Sequence, residues 1–86
     1  MLTKEDRIYF ERKLLEYFEQ EYKWAISAFD RRIGEPWEIV HNAHQRMLGC
    51  CNLMQRCGMD YDYIEKLYND YSERIEKISL DRLDKV

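Results

Sequence analysis

Two glycines and a single proline divide this chain into three segments, and that division restricts its fold more than any other feature. Gly34 and Gly58 separate stretches rich in apolar residues, and Pro36 is the only proline. A β-rich fold of 86 residues needs several turns and normally uses more glycine and proline. The punctuation favours a few long elements, so the sequence predicts an all-α protein.

Within each segment, apolar residues recur at spacings of three and four, the periodicity of an amphipathic helix. The predicted helices cover residues 4–33, 36–57 and 61–78 or beyond. The connections between them are short, and short connections favour antiparallel neighbours. The sequence therefore predicts one domain over residues 1–86, an antiparallel three-helix bundle with a long first helix.

Residues at the predicted helix ends have the chemistry that such ends require. Thr3 and Asp6 have the spacing of a capping box at the first N-terminus. Gly34 suits the left-handed position that follows a helix. Either Asp60 or Asp62 can cap the third helix, because aspartate accepts hydrogen bonds from free backbone N–H groups. Asp62 forms the better capping box, since Glu65 follows three residues later.

Charge and cysteine usage narrow the function classes. The net charge is −3, and it arises in the last third of the chain, where acidic residues outnumber basic ones. Nucleic-acid binders and membrane-surface segments carry basic patches instead.

The sequence has three cysteines, Cys50, Cys51 and Cys57. An odd number of cysteines, two of them adjacent, does not fit the paired disulfides of a small secreted protein. The first residues lack the apolar stretch of a signal peptide, so we expect a cytoplasmic protein with free thiols and no membrane partner.

The first helix carries more apolar surface than two neighbours need. A helix of about 30 residues spans roughly 45 Å, against about 30 Å for each of the others. Its apolar face covers roughly 200°, so we expect a homodimer or a complex with another protein. The alternative is that three helices bury the whole face. The predicted interface consists of Phe10, Leu14, Tyr17, Trp24, Tyr61 and Tyr68.

One polar group of residues suggests a metal site. Glu38 and His41 have the Glu-x-x-His spacing of di-iron helical bundles, and His44 follows one turn later. A complete site needs two such motifs, so a dimer would have to supply the second. The helical wheel turns Glu38 about 120° away from the centre of the apolar face. The sequence therefore favours a solvated Glu38, a boundary His41, and a His44 that is hydrogen-bonded at the core margin, with no bound metal.

Catalysis has little support in this sequence. His44 and Cys51 lie two turns apart on one face, about 10 Å along the axis, too far for an imidazole to activate a thiol. No glycine-rich phosphate loop is present. The sequence predicts a non-enzymatic, cofactor-free interaction or regulatory protein. A metal-binding bundle completed by dimerisation is the alternative, and a weak nucleic-acid binder is the third hypothesis.

Overall fold

The protein folds into three helices that pack against one another. The structure is a computed structural model in which residues 2–83 are described. The helices are α1 (Lys4–Arg31), α2 (Pro36–Arg56) and α3 (Tyr61–Leu83), and each contacts the other two. No strand occurs within residues 2–83. The prediction of an all-helical protein with three helices is confirmed, and α3 continues past Ile78.

The first turn of α1 is closed by the predicted capping box. The Thr3 hydroxyl accepts a hydrogen bond from the backbone N–H of Asp6 at 3.0 Å. In return, the Asp6 carboxylate accepts from the backbone N–H of Thr3 at 3.3 Å. Two donors that lack partners within the helix are thereby satisfied.

The end of α1 differs from the prediction. The helix stops at Arg31 rather than Ile33, and the left-handed residue directly after it is Arg32, with φ +56°. The N–H groups of Arg32 and Ile33 donate to carbonyls of the last turn, at 3.3 and 3.0 Å. Gly34 also has a positive φ, +85°, but it lies within the connection. The helix end is therefore set by hydrogen bonding around an arginine, which pays a steric cost that glycine avoids.

The connection from α2 to α3 has a glycine in the left-handed conformation, unlike the end of α1. The helix ends at Arg56, one residue before the predicted end, and Gly58 has φ +94°. The N–H groups of Gly58 and Met59 donate back to the last turn of α2, at 3.1 and 3.2 Å, the pattern of a Schellman motif. Asp60 then caps α3, because its carboxylate accepts from the N–H of Asp62 at 3.3 Å. Asp60 is therefore the cap, and Asp62, which the sequence favoured, lies within the first turn of α3.

The core runs along the axis of the molecule, which measures 50 × 18 × 16 Å. Tyr71 packs edge-to-face on Phe18, with ring centroids 5.5 Å apart, and its hydroxyl donates to the Glu19 carboxylate. Each large side chain buried in this way contributes about 1.5–3 kcal/mol. The buried apolar residues are Leu14, Phe18, Ala25, Ala28, Phe29, Ile39, Ala43, Met47, Cys51, Met59, Ile64, Tyr71 and Ile75.

Part of the α1 surface stays open. Ile8 and Tyr9 are about half exposed near the start of the helix, and Leu15 is 42% exposed. Phe10 is half-buried against the core. None of the three helices, over the residues described, has the length and apolarity that crossing a membrane requires.

Candidate functional site

The six residues of the predicted interface lie in different environments. Leu14 is fully buried in the core and has no surface to offer a partner. Trp24 and Tyr61 are exposed, by 40% and 55%. The half-buried members are Phe10, Tyr17 and Tyr68. The prediction therefore combined core residues with surface residues, and Leu14 has to be removed from it.

Trp24 makes a contact within its own chain. The Arg46 guanidinium of α2 lies 4.1 Å from the centroid of the Trp24 ring, a cation–π contact. The same guanidinium donates to Glu21 at 2.9 Å. The Tyr17 hydroxyl donates to the backbone carbonyl of Arg46 at 3.4 Å, and burial, with Glu21 beside it, raises the pKa of Tyr17. These contacts join α1 to α2. The Trp24 ring therefore contributes to packing between two helices of the same chain.

A different surface, between α2 and α3, has open space and exposed apolar side chains together. It is a groove of about 490 Å³. Two of its side chains, Trp37 of α2 and Leu80 of α3, are 67% and 62% exposed. The residues that line the groove are Trp37, Val40, His41, His44, Glu76, Ser79 and Leu80.

The groove contains an imidazole beside a carboxylate. The Nε2 atom of His44 lies 3.7 Å from Oε1 of Glu76, which is longer than a hydrogen bond. That nitrogen is buried and has no hydrogen-bond partner. The ring of Tyr68 is a further neighbour of His44, with ring centroids 6.2 Å apart. His44 thus lies at the core margin, as predicted, but its Nε2 atom does not make the hydrogen bond that the prediction included. Glu76 is a neighbour that the sequence did not indicate.

Glu38 does not join the two histidines. Its carboxylate lies at the corner between α1 and α2, where Oε2 would be 3.6 Å from a Cβ atom added at Gly34. His41 and His44 face the groove instead. Across residues 2–83, no three His, Cys, Asp or Glu side chains are grouped to hold a metal ion. The three residues of the metal hypothesis are therefore not brought together within one chain.

Helical spacing extends the groove into a longer surface, here called the α2–α3 seam. Its residues repeat every three or four positions and so share one face of each helix. The α2 stripe consists of Trp37, His41, His44 and Leu48. The α3 stripe consists of Glu65, Asn69, Ser72, Glu76 and Leu80. Leu48 is 41% exposed, so the seam has exposed apolar side chains along much of α2.

The cysteines do not provide a nucleophile at this surface. Burial raises the pKa of Cys51 to about 11, so its thiol stays neutral. Burial also raises the pKa of Cys50. A thiol attacks as the thiolate, so both groups are poor nucleophiles. Cys57 is exposed, and all three cysteines are free.

Comparison with known proteins adds no assignment. No protein-family model, curated protein or solved structure matches this chain. The basis for assigning a function is therefore the surface of the chain itself, above all the seam.

Proposed function

We propose that this protein is a non-enzymatic helical interaction module that acts as a homodimer through the α2–α3 seam. The observation that carries the proposal is the exposure of Trp37 and Leu80 in one groove, with Leu48 exposed further along the same face of α2. Adjacent exposed apolar groups of this size mark interfaces more often than isolated ones do. Tryptophan is also the residue type most enriched among side chains that dominate binding energy.

The contacts across the seam support an antiparallel order of α2 and α3. Trp37, near the start of α2, shares a groove with Leu80, near the end of α3. Further along α2, His44 lies beside Glu76 and Tyr68. Residue numbers rise along one helix as they fall along the other. This order agrees with a bundle whose successive helices are joined by short connections.

Electrostatics and thiol chemistry support the rest of the proposal. The seam offers carboxylates and imidazoles, and it has no lysine or arginine for contact with a phosphate backbone. A protein partner suits it better than a nucleic acid. Free thiols, one of them exposed at Cys57, suit the reducing cytoplasm.

Native mass spectrometry of the untagged protein over a concentration series tests the proposal. We expect a dimer free of metal, with the same mass before and after treatment with a chelator. Trp37→Ser removes one anchor from each copy, and each anchor of this kind contributes about 2 kcal/mol, so the dimer should weaken by at least about 30-fold and up to about 1000-fold. Leu53→Ser is the matched control, since Leu53 is 59% exposed but lies on the opposite edge of α2. A monomer at all concentrations, or equal effects of both variants, would contradict the proposal.

A further inference from the structure

Two copies of this chain can place their seams face to face about a two-fold axis that runs either along the seam or across it. The charges and apolar side chains of the seam favour one of these two arrangements. We infer that the two-fold axis runs along the seam, so that the α2 stripe of each copy packs against the α3 stripe of the other. This inference rests on the proposed function. It adds which residues of the two copies meet.

The charges on the two stripes favour this axis. The α3 stripe carries two acidic residues, Glu65 and Glu76, and no basic one. The α2 stripe carries no acidic residue and two histidines, of which His41 is exposed. An axis across the seam would place α3 on α3 and bring carboxylates toward carboxylates. An axis along the seam brings each carboxylate toward imidazoles instead, and interfaces avoid juxtaposed like charges.

The apolar side chains favour the same axis. Trp37 and Leu80 line one groove, so they lie at the same height along the seam. A two-fold rotation about an axis along the seam keeps that height. Trp37 then meets the partner's Leu80, and the symmetric contact forms a second time. Rotation about an axis across the seam would carry Leu80 to the opposite end of the face and separate the two.

The face is large enough for such a dimer. The helices that form the seam, α2 and α3, have 21 and 23 residues, so each is about 30–35 Å long. Stable interfaces bury roughly 800 Å² per copy, which is about an eighth of the 6333 Å² that the chain exposes. The exposed His41 would face the partner's Glu76, where an imidazole N–H can donate to a carboxylate.

Disulfide trapping between differently tagged chains tests the orientation. One chain carries His41→Cys and the other carries Glu76→Cys, and both also carry Cys50→Ser and Cys57→Ser. Cys51 can remain, because its thiol is buried and neutral. The anchors Trp37 and Leu80 are left intact. Circular dichroism checks the fold, and the mixing concentration is one at which native mass spectrometry shows each variant to be dimeric.

We expect the mixed pair to form a disulfide at least ten times faster than either variant alone. Leu53→Cys mixed with Glu76→Cys is the control and should react slowly. Faster pairing of Glu76→Cys with itself, or equal rates for all pairs, would overturn the inference while leaving a homodimer in place. A wild-type monomer would refute the proposed function as well, so the two failures are distinguishable.

Discussion

Replacing Arg32 by glycine should stabilise this protein, although the change removes a whole side chain. Arg32 has φ +56° at the end of α1. A residue with a Cβ atom pays about 1–2 kcal/mol for the left-handed conformation, which glycine adopts freely. Glycine loses about 0.5–1 kcal/mol of that gain because its unfolded chain is more flexible. The net expectation is a free energy of unfolding raised by about 0.5–1 kcal/mol.

Urea denaturation followed by circular dichroism measures this difference. For a domain of this size, about 1 kcal/mol corresponds to a rise of about 4–8 °C in Tm. The matched control is Arg31→Gly, at the last residue of α1. That change removes the same charge but places glycine in helical backbone, where it costs about 0.5–1 kcal/mol. Equal destabilisation by both variants would refute the left-handed assignment of Arg32.

Three further measurements test the packing. A thiol reagent should label the exposed Cys57 first, and Cys51 only when the protein unfolds, as mass spectrometry of timed samples would show; early labelling of Cys51 would contradict its burial. Burial raises the pKa of Cys51 to about 11 and that of Tyr71 to about 12, from 9.0 and 10.0. The unfolded chain therefore releases these protons first, and stability should fall between about pH 9 and pH 12 in alkaline titrations. Tyr71→Phe should remove the tyrosine's share of that fall. Arg46→Ala should uncover Trp24 and shift its fluorescence, at a cost of about 1 kcal/mol; an unchanged spectrum would contradict the stacking.

The sequence predicted the helices because their signals are local. The capping box at Thr3 and the proline that begins α2 depend only on neighbouring residues, and both are present. The end of α1 was placed wrongly because glycine is only one way to end a helix. Backbone hydrogen bonds from Arg32 and Ile33 close the last turn without a glycine. Arginine has no preference for the left-handed conformation, so the residue type did not indicate this helix end.

The candidate site was harder to predict, because it depends on which helix faces lie side by side. Periodicity placed His44 at the edge of the α2 core face, where it is found. It did not reveal that Glu76, on another helix, approaches to 3.7 Å. Periodicity also treated Trp24 as open surface. Whether an aromatic ring at the edge of an apolar arc is covered depends on a side chain such as Arg46, distant in sequence.

The two sides of α2, one against α1 and one against α3, differ in how far the chain itself covers them. This difference is why we propose an interface at the seam and not on α1. On the α1 side, Arg46 stacks on Trp24 and also pairs with Glu21, so a cation covers the aromatic ring and a carboxylate neutralises the cation. On the α3 side, the Nε2 atom of His44 has no hydrogen-bond partner and lies 3.7 Å from Glu76, against 2.9 Å between Arg46 and Glu21. A partner gains more by covering a surface that the chain has not already covered, because no existing contact must be broken. The part of the α1 arc around Trp24 is therefore the weaker candidate for association, and the seam is the surface that we propose instead.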